Sequence, residues 1–288
     1  MQEGPIDLIV LAEGPGAGDA HRRAVARFDG ILNGLAAELP ALRSDAVSAF
    51  RNPVAQAMAR AVAPFRPAFI TPMAAVAGAV ADAVLAEMVN GGGVRRAYVN
   101  NGGDIALFLA PDEQFDVAIA ARDGWPDRVR IRAQDPVRGI ATSGWRGRSQ
   151  SLGIADAVTV LARTAAEADA AATMIANAVN VDDAAVSRLP ANQVRDDSDL
   201  GDRLVTVGVA SLSTTQVARA LDAGAACAGR EIAAGRVQAA WLCLQGQARR
   251  CAAPLAQHAD MLRPGPILQA CAAPQVLRLA PLLAASGA

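Results

Sequence analysis

The sequence predicts an α+β fold in which antiparallel sheets are flanked by helices. Strand-like segments between residues 96 and 133 follow one another through short links, which is typical of antiparallel pairing. Helical patterns come before and after them in blocks and do not alternate with single strands. Of the 288 residues, 52% are apolar and 19% are charged, enough for a sizeable core. One domain is predicted over residues 1–288, and the acidic loop at 190–202 is the best candidate boundary between two lobes.

The first third of the chain predicts one strand and three helices. An apolar run at residues 6–12 that ends in Glu-Gly-Pro-Gly predicts a strand followed by a loop. Apolar residues at helical spacing predict a helix over 21–39, which Pro40 ends. The Asn-Pro and Thr-Pro pairs predict helix starts for the segments 52–62 and 71–89.

The remaining sequence predicts strands, two capped helices and an acidic surface loop. Residues 128–133 alternate strictly, so one face of that strand should be solvated. Capping boxes that begin at Thr164 and Ser213 start helices that reach about residues 179 and 234. Strands are predicted over residues 96–100, 105–110, 115–121, 128–133, 154–162, 204–209 and 236–244. The polar stretch 188–202 is predicted to be the surface loop.

The composition excludes several classes of function. The 27 cations balance 28 anions, which argues against a dedicated nucleic-acid binder. Every cation is arginine, which excludes a lysine Schiff base and a lysine-dependent phosphate loop. With only His21 and His258 present, no histidine-rich metal site is expected. The cysteines lack C-x-x-C spacing and are expected to be buried free thiols; they are Cys227, Cys243, Cys251 and Cys271.

The sequence also predicts a soluble, cytoplasmic protein. Residues 1–5 are acidic and lack the basic and apolar regions of a signal peptide. The long apolar stretch at 73–89 contains Asp82 and Glu87, so a buried helix is expected in place of a membrane span. Gly78 inside this helix costs about 1 kcal/mol relative to alanine, and close packing against another helix is the favoured explanation.

A glycine-rich turn between two predicted strands is the first candidate site. Gly102 and Gly103 permit positive backbone φ and let a ligand approach bare main-chain amides. The carboxylate of Asp104 can then bond ribose hydroxyls or an amine. Spacing alone favours the alternative of an ordinary hairpin turn, because Asn-Gly is a strong turn signal.

The second candidate is a loop of small, hydroxylic and basic residues. Its hydroxyl groups can donate hydrogen bonds to an anion, and its two guanidinium groups match phosphate geometry. Trp145 within it can stack on a planar ring or cover the core. A polar surface loop is the alternative interpretation. The candidate anion-binding residues are Thr142, Ser143, Gly144, Arg146, Arg148 and Ser149.

The third candidate is a pair of oxygen-bearing side chains on one predicted helix. Asp169 and Thr173 are four residues apart and project from one face, roughly 6 Å apart at Cβ, with Asn177 one turn further. Their neighbours are almost all alanine, which leaves space above that face. Carboxylate and hydroxyl oxygens suit Mg²⁺, completed by carbonyl, water and phosphate oxygens. The alternative is a solvated helix face.

Taken in order, these segments resemble the ApbE family of FAD:protein FMN transferases. That family has a glycine-containing helix segment, a G-G-D-I turn, a T-S-G loop, and a strand followed by A-D-A-x-A-T. The sequence is closer still to an uncharacterised ApbE-related branch, which extends the similarity to about residue 246. The family segments are residues 75–82, 102–105, 142–144, 158–160 and 168–173; those of the branch are 72–78, 101–104, 151–156 and 197–202.

The resemblance implies an ApbE-like fold with a central cleft for a flavin nucleotide. It implies Mg²⁺ held by Asp169 and Thr173 beside the pyrophosphate of FAD, and it places Met73 among the cofactor-binding residues. Enzymes of the family split FAD and attach FMN to a threonine of a partner protein, so an acceptor protein is also implied. A metal on the pyrophosphate neutralises charge as the new phosphoester forms and AMP leaves.

The sequence departs from the transferases at positions that matter for catalysis. Ala77 stands where they have a lysine, and residues 145–156 lack their histidine, so no general base is assigned for an acceptor threonine. Three hypotheses follow: an Mg²⁺-dependent flavin transferase, a flavin- or nucleotide-binding protein without catalysis, and an enzyme acting on another phosphorylated or carboxylated small molecule. Each is compatible with a homo-oligomer.

Overall fold

The computed structural model describes residues 1–119 and 127–253 and the main chain of 262–263, and it has the predicted α+β architecture. In these residues the helices are α1 (Ala17–Phe28), α2 (Ile31–Ala36), α3 (Leu39–Leu42), α4 (Pro53–Val62), α5 (Val76–Asn90), α6 (Ala165–Ala178), α7 (Ala191–Val194) and α8 (Thr214–Ala233). The strands are β1 (Gln2–Glu3), β2 (Ile6–Glu13), β3 (Arg96–Asn101), β4 (Asp104–Leu109), β5 (Gln114–Ile119), β6 (Asp127–Arg132), β7 (Gly139–Ser143), β8 (Ala157–Ala162), β9 (Val186–Pro190), β10 (Leu204–Val209), β11 (Val237–Leu244), β12 (Gln247–Ala252) and β13 (Leu262–Arg263). Short 3₁₀ turns occupy Ala63–Phe65 and Pro72–Ala75.

An eight-stranded antiparallel sheet lies at the centre, in the order β1-β2-β3-β4-β7-β8-β11-β12. Its halves join where β4 pairs with β7 through Ile105–Ile140 and Ala106–Gly139. Because these strands run in opposite directions, the start of β4 lies beside the end of β7. Strands β5, β6 and β13 form a separate sheet, and β9 pairs with β10. This topology places the turn before β4 next to the last residues of β7.

The inner strands of the central sheet, such as β4 and β8, are buried on both faces. Helix α5 packs against β3 and β4, and α6 packs against β7 and β8. On the other face, alternate residues of β4, such as Ile105 and Leu107, form a hydrophobic cluster with Phe115 and Ile131 of the β5–β6 hairpin. Since neighbouring strand residues point to opposite faces, the helices and the hairpin cover opposite sides.

Helices α5 and α6 meet at unusually close range. A Cβ on Gly78 would collide with the main chain of Ala165 at the start of α6. One turn later, the Asp82 carboxylate accepts hydrogen bonds from the amides of Ala165, at 3.0 Å, and Ala166, at 2.9 Å. The glycine in α5 is therefore explained by close helix packing, as the sequence predicts.

The predicted helix over residues 21–39 is wrong in its extent. The structure divides this region into α1, α2 and α3. Gly30 adopts a left-handed conformation with φ of +79° and interrupts the helical pattern. Pro40 lies in the first turn of α3, where its missing amide is tolerated, and does not end a helix. The apolar spacing was correct for the buried face but did not reveal the breaks.

Several boundaries also differ from the sequence predictions. The strand expected over 154–162 begins at Ala157, and the first residues of the predicted polar loop at 188–202 belong to strand β9.

The two predicted capping boxes differ in how completely they form. The Ser213 capping box has both of its hydrogen bonds. At Thr164 the side chain caps Glu167 N, but the Glu167 carboxylate pairs with Arg163. Residues 120 and 121 of one predicted strand lie outside the described residues.

The long apolar helix segment packs within the fold. Pro72–Asn90 has the length and mean hydropathy, 1.6, of a membrane span, and half of that window is buried. Its contacts with β3, β4, α1 and α6 match the predicted core helix. Among the described cysteines, Cys227 is buried and Cys251 is half-buried, and both are free thiols; Cys243 is half-buried as well. Cys271 and His258 lie outside the described residues.

Candidate functional site

The glycine-rich turn is a tight hairpin between β3 and β4. Asn101 pairs with Asp104 across it, and Gly102 and Gly103 have φ values of +66° and +117°. The Gly103 amide donates a 2.8 Å hydrogen bond to the Asn100 side chain. The hairpin interpretation of this segment is therefore correct. It also fixes the direction of the Asp104 side chain at the first residue of β4.

Asp104 joins the hairpin to the end of β7. Its Oδ1 accepts a 3.2 Å hydrogen bond from the Thr142 amide. Burial raises the pKa of Asp104 to about 7, while the Thr142 amide and the Arg148 guanidinium partly offset that rise. Arg148 lies directly against the hairpin, because a Cβ on Gly102 would collide with its guanidinium group. The first two candidate segments therefore meet at Asp104.

Asp169 brings α6 to the same place. Its Oδ2 accepts a 3.1 Å hydrogen bond from the Gly78 amide. Burial raises the pKa of Asp169 well above its usual value, and repulsion from the Asp104 carboxylate raises it further. The amides of Gly78 and Ala77 act in the opposite direction. The Asn101 side chain of the hairpin donates a 3.2 Å hydrogen bond to the Ala77 carbonyl, next to the Gly78 amide that binds Asp169, so the hairpin and Asp169 meet at the start of α5.

Thr173 lies one turn beyond Asp169 on α6, and both side chains are half-buried. Two neighbouring carboxylates and a hydroxyl provide the hard oxygen ligands that Mg²⁺ prefers. Within residues 1–119 and 127–253, no group of three or more His, Cys, Asp or Glu side chains forms a metal centre. An ion held here would therefore need additional oxygens from a ligand, the main chain or water. On that basis the donor set fits Mg²⁺.

Asn177, which the helical spacing places on the same face, serves another purpose. Its Oδ1 accepts hydrogen bonds from Leu152 N at 2.9 Å and Ser151 Oγ at 3.3 Å. These bonds anchor the segment that leads into β8. The spacing prediction is correct, but the side-chain oxygen of Asn177 is already occupied by these two hydrogen bonds.

Several residues of the second candidate loop are held by the protein itself. The Arg146 guanidinium pairs with Asp156 at 2.8 Å and lies 4.6 Å above the Trp145 ring. Trp145 Nε1 donates to the same carboxylate at 3.3 Å. The Thr142 hydroxyl is hydrogen-bonded to that of Thr159 at 2.9 Å. The Arg146 and Thr142 side chains are thus less available to an anion than the sequence predicts.

The other predicted cofactor-binding residues lie at different depths around this loop. Ser143 is half-buried at the end of β7, and Ser149 is exposed. A Cβ on Gly144 would come within 2.6 Å of the Asp156 carbonyl, so this glycine permits a close main-chain approach. Met73, in the turn that precedes α5, packs against the hydrophobic core formed by residues of α4, α5 and β3. Their roles in binding remain predictions.

Asp156 anchors the loop that carries several candidate residues, and the sequence analysis did not single it out. Its side chain is only 7% exposed, and it also accepts a 2.6 Å hydrogen bond from Gln245 N. Three partners therefore converge on one carboxylate that anchors the loop after β7. The only sequence signal was its place in the segment 151–156 that resembles the ApbE-related branch.

A separate cavity of about 570 Å³ lies among α4, α5 and the turn between α1 and α2. Asp82 borders it, together with Arg27, Asn52 and Glu87. None of the predicted cofactor- or metal-binding residues lines this cavity. It is therefore distinct from the place where Asp104 and Asp169 meet.

Sequence comparison relates most of the chain to one bacterial family. The profile of the family described as AbpE bacteria matches residues 1–250. The UPF0280 protein of Methanothrix thermoacetophila is 43% identical over 117 residues, which are 39% of this chain and 48% of that protein. That of Methanopyrus kandleri is 41% identical over 139 residues, 47% of this chain and 54% of that protein. The chain spans about half the length of the curated relatives it matches.

Comparison of structures finds the flavin transferase ApbE from Vibrio cholerae. The two proteins share 14% sequence identity, and the overlay covers 84% of this chain and 76% of the other, with a TM-score of 0.34. The family profile, which covers residues 1–250, is the finding that assigns the chain.

Proposed function

The chain belongs to the ApbE-related bacterial family described as AbpE bacteria, and from this premise we propose that it binds a flavin nucleotide together with a divalent cation. The proposed site lies between the β3–β4 hairpin and α6. The ligand would be FAD or a related flavin nucleotide, and the cation Mg²⁺. The residues assigned to the ion are Asp169 and Thr173. Gly102, Gly103 and Arg148 would lie against the anionic part of the nucleotide.

The convergence of the β3–β4 hairpin and Asp169 at the start of α5 is the observation that carries this proposal: Asn101 donates to the Ala77 carbonyl, and the adjacent Gly78 amide donates to Asp169. Two carboxylates that repel one another in a half-buried position destabilise the protein unless protons or a cation compensate them. A divalent cation removes this repulsion and at the same time attracts a pyrophosphate. The Arg148 guanidinium, which lies against Gly102, provides further attraction for an anion.

Each residue has a separate task in this proposal. Asp169, oriented by the Gly78 amide, and Thr173 would hold the ion. Asp104, oriented by the Thr142 amide, would face the ligand beside the hairpin. When bound, Mg²⁺ neutralises charge on the phosphate groups. Binding is the function that the geometry supports best, because Ala77 and the 145–156 loop lack the lysine and histidine of the transferases.

Equilibrium dialysis of FAD against the purified protein tests the proposal. We expect retention of FAD in Mg²⁺, and at least tenfold weaker binding in EDTA or in Asp169→Asn, since the ion loses its charged ligand. Asp222→Asn, on the exposed face of α8, is the control and should bind as the wild type does. Failure of the wild type to retain FAD, or undiminished binding by Asp169→Asn, would refute the proposal.

Transfer of FMN from FAD to a threonine of a partner protein is the second candidate function. The ordered G-G-D-I, T-S-G and A-D-A-x-A-T segments favour it. In that reaction the threonine oxygen bonds to the FMN phosphorus as the bond to AMP breaks, and the hydroxyl proton passes to a base. Release of AMP and labelling of an acceptor peptide in the presence of FAD and Mg²⁺ would support transfer, and their absence alongside FAD binding would leave binding as the function.

A further inference from the structure

The segment 191–203, which we call the strap, crosses from one side of the candidate site to the other. It contains α7 and the Asp197–Asp202 segment that resembles the ApbE-related branch. The proposed binding residues do not include any part of it. Its contacts nevertheless reach both the loop that carries Arg148 and the turn that leads into α5.

Three hydrogen bonds connect the strap to the loop after β7. The Arg195 guanidinium donates to the Arg148 carbonyl at 3.0 Å. Ser198 Oγ donates to the Gln150 side chain at 2.5 Å, and Gln150 Nε2 donates to the Ala191 carbonyl at 2.9 Å. The Arg148 carbonyl and the Gln150 side chain, on either side of residue 149, are thereby held by one neighbouring segment.

The opposite side of the strap is hydrogen-bonded to the residue that precedes the turn before α5. Thr71, which is 2% exposed, donates a 2.5 Å hydrogen bond from its hydroxyl to Asp199. Thr71 immediately precedes the turn that enters α5, and Gly78 of α5 bonds to Asp169. Arg43 also pairs with Asp197 at 3.2 Å. The strap therefore has a buried anchor on the side of the site that carries Asp169.

We propose that Arg195 is a positioning residue for the candidate site. Through the carbonyl of Arg148 it fixes the loop that presents the Arg148 guanidinium to the hairpin at Gly102, and Asp199 anchors the strap from which Arg195 extends. The inference rests on the proposed function, because the ligand held by Arg148 is the anionic part of the nucleotide.

The physical reason is the exposure of the Arg148 side chain. An exposed arginine on an untethered loop samples many rotamers and loop conformations, and ordering them on binding weakens affinity. The hydrogen bond from the Arg195 guanidinium to the main-chain carbonyl of Arg148 removes part of that cost before the ligand arrives. Arg195 thus acts on the nucleotide through Arg148 and needs no contact with it.

Hydrogen exchange without any ligand is the first test. Arg195→Ala is expected to speed amide exchange at least threefold in residues 145–150, with no change in α8. Arg219→Ala, a substitution of an exposed arginine on α8, is the matched control and should leave the loop unchanged. Equal exchange in the wild type and Arg195→Ala would overturn the inference, whether or not the protein binds FAD.

A double-mutant cycle for FAD binding is the second test. Arg195→Ala is expected to weaken binding roughly threefold to tenfold, because the Arg148 loop must then be ordered when the nucleotide binds. In the Arg148→Ala background the same substitution should change affinity less than twofold, since the guanidinium that it positions is gone. Additive losses would show that Arg195 acts independently and would overturn the inference. Absence of FAD binding by the wild type would instead refute the proposed function.

Discussion

Asp104 is a half-buried carboxyl group that is costly to ionise in the apo protein. Burial raises its pKa to about 7, against about 3.9 for an unfolded aspartate. The folded protein therefore binds this proton more tightly than the unfolded chain does. The resulting contribution to stability is complete below about pH 4 and is lost as the pH rises towards 7. Asp169, whose pKa rises in part through Asp104, changes in the same direction.

Substitution of Asp104 by asparagine should remove most of this pH dependence. The amide oxygen can still accept the Thr142 hydrogen bond, but it carries no charge to bury. In EDTA, we expect the wild type to lose roughly 1–2 kcal/mol more stability than Asp104→Asn between pH 5 and pH 8. Urea denaturation at the two pH values measures the difference, and parallel losses in both proteins would contradict the assignment.

The site residues show which parts of the chemistry the sequence could predict. The local spacing correctly placed Asp169 and Thr173 on one helix face. It could not show that Asp156 would bind the Arg146 guanidinium, because that pair depends on how the loop after β7 folds back. The neighbourhood of Asp104 and Asp169 also depends on pairing between strands distant in sequence. The sequence predicted the residue types of the site but not the residues with which they form contacts.

At the scale of elements, the junction between α5 and α6 determines the geometry of the site. Asp82 caps the start of α6 with two hydrogen bonds from a neighbouring helix. Burial raises the pKa of this carboxyl to about 6. Capping by a side chain from another helix cannot be deduced from a local sequence pattern. It ties the helix that carries Asp169 to the helix whose Gly78 amide orients that carboxylate.

Asp82→Ala should destabilise the protein by about 1–2 kcal/mol, because two amides at the start of α6 lose their partner. Asp222→Ala is the control, since Asp222 is exposed and its pair with Arg249 contributes little. Urea denaturation followed by circular dichroism measures both. Equal stabilities of the two variants would contradict the capping role.

Gly78→Ala should cost about 1–3 kcal/mol, because the new methyl group would push α5 away from the start of α6. Gly229→Ala provides a matched comparison in α8, where a Cβ would meet open space. That variant should be up to about 1 kcal/mol more stable than the wild type, since alanine favours helix. Thermal unfolding of both proteins tests the close contact, and stabilisation by Gly78→Ala would rule it out.

The helices themselves were predicted with uneven success, for physical reasons. Helices α6 and α8, whose N-terminal caps are formed, followed the sequence patterns closely. Helix α5 begins only at Val76 and without a side-chain cap, because Thr71 does not cap and residues 72–75 form a 3₁₀ turn. The segment 21–39 did not, because a periodic apolar face persists across the breaks at Gly30 and at residues 37–38. Burial of that face is compatible with one helix or three, and the backbone conformation at Gly30 decides between them.

For the whole molecule, the order of strands in the central sheet assembles the site. Pairing of β4 with β7 brings residues almost forty positions apart in the sequence to a common edge. The composition and the block arrangement of helices and strands were sufficient to predict an α+β fold. The strand order follows from long-range pairing and was not predicted. The family resemblance, confirmed by the match over residues 1–250, supplied what local patterns could not.

The location of a bound metal and nucleotide tests the central claim most directly. A crystal structure with Mn²⁺ as an anomalous scatterer and FAD would show both. The account predicts an anomalous peak at Asp169 and Thr173, with the FAD phosphates beside Gly102 and Arg148. A nucleotide in the cavity beside Asp82, or Mn²⁺ that avoids Asp169 while FAD is bound elsewhere, would contradict it.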